Sequence, residues 1–131
     1  MFRITASEED YLRAIYTLDP MGAGVRMDDI AKALSVSKSA ALRIVERLEK
    51  SGFAERFGKN RAGLTDPGRQ KARNVKSKYE IVRLYFMEIL QVDFKTAARE
   101  AGQLEHTLSD VSLAAMKTAV IGEDTWYLVE N

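Results

Sequence analysis

The sequence predicts a mainly α-helical chain carrying one small β-hairpin, and three observations lead there. Apolar residues recur at helical spacing through most of the 131 residues. One short stretch, Phe53-Ala54-Glu55-Arg56-Phe57, alternates apolar and polar instead, and Ala62 to Leu64 returns from the turn Gly58-Lys59-Asn60-Arg61. Capping and breaking residues then divide the helical pattern into separate segments.

Thr5 followed by Glu8 is a capping-box start. Tyr11, Leu12, Ile15, Tyr16 and Leu18 continue it as a helix from Ala6 to Leu18, which Asp19-Pro20-Met21-Gly22 ends. Val25 and Met27 form a short apolar pair. Asp28 or Asp29 then opens a second helix with Ile30, Ala31, Ala33 and Leu34 on its inner side. Ser37 is an N-cap for Lys38 to Lys50, where Ala41, Ile44, Val45 and Leu48 make the apolar stripe. Ser51-Gly52 stops that helix, with Gly52 as the left-handed residue.

After the hairpin, Thr65-Asp66-Pro67 starts a long helix, with proline in the first turn where its missing N–H costs nothing. It runs to about Leu90, with Val75, Tyr79, Val82, Phe86 and Ile89 along one side. Val92-Asp93 breaks it. Phe94 to Gly102 reads as a short helix and Leu104 to Ile121 as another, before an apolar tail, Trp126-Tyr127-Leu128-Val129. The expected organisation is two domains, residues 1–70 and 71–131.

Charge is distributed unevenly. The net charge is only +1, yet residues 37–78 carry twelve Lys and Arg against four Asp and Glu, while residues 100–131 carry one against six. A basic middle between acidic ends is the footprint of a module that meets a polyanion. The absence of cysteine excludes disulfides, thiolate zinc sites and cysteine nucleophiles and fits a reducing cytoplasm. No apolar stretch approaches the roughly 18 residues of a membrane span, so a cytoplasmic protein without a membrane partner is expected.

Helix, tight turn, helix and basic hairpin is the order of a winged helix-turn-helix domain. The second helix of such a pair enters the major groove by its N-terminal end. Here Ser37, Lys38, Ser39, Arg43 and Arg47 offer donors for base edges and phosphates, and Lys59 and Arg61 at the hairpin tip offer charge for phosphates or the minor groove. Double-stranded operator DNA is the partner these residues predict.

The chain resembles the diphtheria toxin repressor and manganese transport regulator family of metal-dependent repressors. The resemblance rests on Glu9 to Tyr16, Asp29 to Ser37, Leu48 to Phe53, Leu64 to Arg69 and, most specifically, Gln103 to Asp110. It implies a homodimeric transcription regulator, with a winged helix domain followed by a helical dimerisation and metal-sensing domain. The length fits the smaller, manganese-type layout. Asp10, Glu105 and His106 match metal ligands of the family, and carboxylate with imidazole suits Mn²⁺ or Fe²⁺ in kind. Other ligand positions depart from the pattern: Arg13, Tyr79, Arg83, Ala98 and Gly102 stand where the family places donors. A degenerate site follows, in which guanidinium groups replace the cation, Arg13 pairing with Asp10 and Arg83 approaching Glu105. DNA binding without metal is then expected.

Two other regulators or modules fit the same residues: a sensor of a small-molecule ligand in the former metal cavity, and a protein-interaction module on a winged helix that does not bind DNA. An enzyme using Asp10, Glu105 and His106 as acid–base groups finds no nucleophile motif, phosphate loop or nucleotide fingerprint to support it.

Overall fold

The computed structural model describes residues 6–122, which contain six helices and a small three-stranded antiparallel sheet. The chain separates into two compact units, one through Val75 and one from Lys76. The Thr5 cap and the tail from Trp126 to Val129 lie outside the described residues. No helix among the described residues is long and apolar enough to cross a membrane.

In the first unit, α1 (Ala6–Leu18) ends where predicted. Asp19 is buried and accepts hydrogen bonds from the backbone N–H groups of Ala23 (2.8 Å) and Gly24 (3.0 Å), which fixes the loop that leaves the helix. The apolar pair noticed around Val25 is a strand, β1 (Val25–Arg26), and Met27 already begins α2 (Met27–Leu34). That helix starts one residue before Asp28, on Arg26, without a side-chain cap. Ala33, expected inside, is exposed, because the helix is only eight residues long and buries Met27, Ile30 and Ala31.

Ser35 closes α2 in the left-handed conformation (φ 55°), and Val36 donates back to the Ala31 carbonyl at 3.0 Å. Three residues therefore suffice to turn the chain into α3 (Lys38–Lys50), whose first turn is capped by Ser37 Oγ accepting from Ala40 N–H. Gly52 adopts φ 85° after α3, as its position predicts.

The hairpin consists of β2 (Ala54–Phe57) and β3 (Arg61–Leu64), and β3 is the central strand, in the order β1-β3-β2. Val25 pairs with Ala62 and Arg26 with Arg61 on one side, and Arg56 pairs with Ala62 on the other. The Met27 N–H also donates to the Asn60 carbonyl at 2.7 Å. Leu12, Ile15, Met27, Ile30, Val45, Leu48 and Ala62 are essentially inaccessible and form one core. Fully burying an aliphatic side chain contributes about 1.5–3 kcal/mol, so this core holds α1, α2, α3 and the sheet as one body.

Helix α4 (Asp66–Glu88) begins in the first unit, where Thr65 Oγ1 accepts from Gly68 N–H (3.1 Å) and donates to the Gly52 carbonyl (2.6 Å). It stops at Glu88, two residues before the predicted end, and Ile89 is exposed rather than aligned with the buried side. In the second unit, α5 (Phe94–Leu104) is capped by Asp93, whose carboxylate accepts from Thr96 N–H. The stretch from Leu104 to Ile121 is not one helix. Ser109 accepts from Ser112 N–H and starts α6 (Asp110–Ile121) there, leaving residues 105–109 as a turn. Val82, Ala101 and Leu113 form the buried centre of this unit, with Tyr79, Phe86, Leu104, Leu108 and Met116 packed around them.

Candidate nucleic-acid interface and metal-ligating residues

The predicted DNA-reading residues all belong to the first unit. Ser37, Lys38, Ser39, Arg43 and Arg47 are exposed on α3 or its cap, as the buried stripe of Ala41, Ile44, Val45 and Leu48 requires. Ser37 is committed to the cap, and its Oγ lies 3.3 Å from Ser39 Oγ. Arg43 stands close enough to the buried Tyr11 to matter electrostatically. Burial pushes the Tyr11 phenol above its ordinary pKa, and the Arg43 charge opposes the rise.

Lys59 and Arg61 are exposed on the hairpin. The structure brings them together with Lys38: all three line one open cleft, which Arg26, Asp28, Phe57 and Asn60 complete. Arg61 reaches across to donate to the Gly24 carbonyl at 3.3 Å. Arg43 and Arg47 do not line this cleft and lie further along the exposed side of α3. Arg56 ties the hairpin to α3 through Glu46 at 3.9 Å.

Arg26 and Asp28 were not anticipated. Asp28 Oδ1 lies 3.4 Å from Lys38 Nζ and its Oδ2 lies 3.6 Å from Arg26 Nη2, so one carboxylate bridges two of the cleft's cations. The only sequence signal was the apolar pair flanking Arg26. A two-residue strand is too short for alternation to reveal that it pairs with the hairpin and carries Arg26 to the cleft.

The expected metal ligands divide between the units. On α1, Asp10 is partly exposed and Arg13 Nη2 lies 3.7 Å from its Oδ1, the pairing the sequence suggests. In the second unit, Glu105 closes α5 and is buried, and His106 Nε2 lies 3.5 Å from its Oε1. A carboxylate beside an imidazole fits a divalent cation such as Mn²⁺ or Fe²⁺ in kind.

The remaining positions do not supply donors of that kind. Gly102 lies inside α5 and has no side chain to offer. Tyr79 packs around the core of the second unit. Arg83 does not go to Glu105: its guanidinium lies over the rings of Tyr79 (5.9 Å to the centroid) and Phe94 (5.4 Å) and donates to Met87 Sδ. Two aromatic faces give a guanidinium an alternative to a carboxylate.

Residues 3–61 match the iron dependent repressor N-terminal DNA binding domain, and residues 65–120 match the iron dependent repressor metal binding and dimerisation domain. The chain is 30% identical over 115 residues to an uncharacterized HTH-type transcriptional regulator of Methanocaldococcus jannaschii, covering 87% of this chain and 92% of that protein. It is 30% identical over 105 residues to the HTH-type transcriptional regulator MntR of Lysinibacillus sphaericus, covering 80% and 75%. Among solved structures, the manganese regulator SloR superposes with a TM-score of 0.77 at 27% identity, over 88% of this chain and 54% of that one. The IdeR of T. acidophilum shares the fold at 20% identity, with a TM-score of 0.77 over 91% and 55%. This chain thus spans about half the length of those two solved proteins. Two consecutive domain matches in family order, with curated relatives at 30% identity, place the chain in the iron-dependent repressor family of metal-dependent DNA-binding transcriptional regulators, which are not enzymes.

Proposed function

We propose that this protein is a homodimeric cytoplasmic transcription regulator that reads operator DNA through α3 and the hairpin and does so without requiring a metal ion. Residues 1–70 serve as the reading head and residues 71–131 as the dimerisation domain. Ser37, Lys38, Ser39, Arg43 and Arg47 meet base edges and phosphates in the major groove, while Lys59 and Arg61 meet phosphates beside it. The observation that carries the reading is the shared cleft. The first residue of α3 and the hairpin tip present Lys38, Lys59 and Arg61 to one space, next to a helix N-terminus whose first residues are exposed.

Metal independence is supported by the Arg13 guanidinium on Asp10 and by the loss of donors at Tyr79, Arg83 and Gly102. Were Mn²⁺ or Fe²⁺ to bind, Glu105 and His106 would hold it, and the resemblance implies Asp10 as a further donor. A cation there would supply charge that Arg13 already provides to Asp10.

The test measures binding of the purified protein to duplex DNA from its own promoter regions across a salt series, with chelator, with Mn²⁺ and with Fe²⁺. Binding should be unchanged within about twofold by chelation and should weaken with salt, with a log–log slope of about 0.9 per phosphate contacted. Loss of binding on chelation, restored by Mn²⁺ or Fe²⁺, would overturn the metal-free reading. Binding that ignores salt would overturn the DNA reading.

A further inference from the structure

One carboxylate, that of Asp28, lines the cationic cleft. Asp28 lies in the first turn of α2 and bridges Lys38 and Arg26, and Asp29 makes only a longer contact with Arg26 Nε at 4.0 Å. The three bridged side chains are all more than half exposed, between 53% and 59%. Ion pairs this exposed add little to stability. A first-turn carboxylate also suits the positive end of α2, but Asp29 serves that purpose equally. Neither role explains why a negative charge faces the space in which a polyanion would lie.

We propose that Asp28 determines specificity, by holding Lys38 and Arg26 against phosphates that any duplex offers. The inference rests on the DNA-reading function proposed above. A random duplex rewards charge alone and meets a repulsive carboxylate together with two cations already engaged. A cognate site offers Lys38 a directional acceptor on a base edge, such as guanine O6 or N7, which replaces the carboxylate as its partner. Asp28 thereby weakens all binding but weakens random binding more, which widens the ratio between them.

The experiment uses the full chain and two probes: a random-sequence duplex, and the duplex that the wild-type protein selects from a randomised pool. Asp28→Asn should raise affinity for the random duplex about tenfold and steepen its salt slope by about 1 to 2, as one or two cations gain phosphates. Affinity for the selected duplex should rise less than about threefold, so the ratio falls. Asp29→Asn, which removes the same charge from the same helix turn without touching Lys38, should leave the ratio within about twofold. Lys38→Gln should reduce affinity for the selected duplex much more than for the random one, because in random complexes Lys38 stays on Asp28. In the double variant the coupling between the two changes should be visible as non-additivity.

An unchanged salt slope in Asp28→Asn, a preserved ratio, or an equal effect from Asp29→Asn would overturn the inference while leaving the DNA reading intact. A Lys38→Gln variant that loses both probes equally would overturn it independently. A wild-type protein with no salt-dependent affinity for either duplex would overturn the DNA reading itself, so the two failures are distinguishable.

Discussion

Changing Gly68 to alanine sets two physical effects against each other, and the structure decides between them. Gly68 lies in the first turn of α4, and alanine is the better helix former by as much as about 1 kcal/mol. A Cβ at that position, however, would lie 1.9 Å from the Phe53 carbonyl oxygen and 2.8 Å from its carbon. Backbone must therefore move by more than about 1 Å to reach ordinary contact. Neither wall is free to retreat. The Phe53 N–H donates to the Leu48 carbonyl at 2.9 Å, and the Phe53 carbonyl accepts from Thr65 N–H at 3.1 Å. On the other side, Gly68 N–H and the Gly52 carbonyl are joined through the Thr65 hydroxyl.

Overpacking against well-fixed atoms costs about 1–3 kcal/mol, and each strained hydrogen bond adds about 1 kcal/mol. The net expectation for Gly68→Ala is a loss of about 3 kcal/mol, or a fall in Tm of about 12–24 °C for a body of this size. Differential scanning calorimetry of the first unit's transition measures it. Gly52→Ala provides the contrast: its φ is +85° but nothing lies within 4 Å, so only the left-handed conformation is penalised, at about 1–2 kcal/mol. A Gly68→Ala Tm at or above wild type would refute the steric reasoning and leave helix propensity in charge.

Three further outcomes follow from caps and backbone strain. Ser37→Ala removes the acceptor for Ala40 N–H and should cost about 1 kcal/mol by chemical denaturation, together with weaker DNA binding from a frayed α3 start. Ser35→Gly should leave stability unchanged or raise it by up to about 1 kcal/mol, because it relieves a left-handed conformation at the turn while loosening the unfolded chain; a clear loss would show that the Ser35 side chain matters there. Hydrogen bonds from Thr96 to Asp93 hold the carboxyl below its ordinary pKa. Its contribution is therefore complete above the ordinary Asp value near 3.9 and disappears as pH falls through the lower folded value. The Tm gap between wild type and Asp93→Ala should be widest near neutrality and should narrow as pH falls below the ordinary Asp range; a gap that widens in acid contradicts the sign.

The elements most legible in the sequence are those whose boundaries carry their own chemistry. Ser37, Gly52 and Thr65-Asp66-Pro67 mark helix ends with side chains or conformations that act within four residues, and each marked end appears where the residues place it. Leu104 to Ile121 misled because its apolar periodicity runs on through residues 105–109. The Ser109 cap, although visible as Ser109-Asp110, competed with that pattern and won. At the interface, the exposed cations of α3 and the hairpin could be read from periodicity, since each is displaced from an apolar stripe. Asp28 could not, because its proposed role depends on Lys38, which only the turn at Ser35 brings beside it. The metal positions show the same limit. Arg13 on Asp10 is a contact within one helix and was foreseeable, whereas Arg83 chose the faces of Tyr79 and Phe94 over Glu105.

The hairpin's register divides its residues into those that can drift and those that cannot. Strand β3 is paired on both edges, and Ala62 and Leu64, two residues apart, share the face that meets the core, with Gly63 buried between them. One added residue within Arg61–Leu64 would turn those side chains to the opposite face and unseat β1 together with β2. An added residue between Gly58 and Lys59 disturbs none of these pairs, and the Asn60 carbonyl can keep its bond to the start of α2. The fold therefore leaves a short segment, at the edge of the cleft proposed to meet a duplex, whose length and charge can be rewritten at little cost to folding. Under the proposed reading, changes in how tightly such a regulator grips DNA outside its recognised bases have an open route there, while α3 stays where the core puts it.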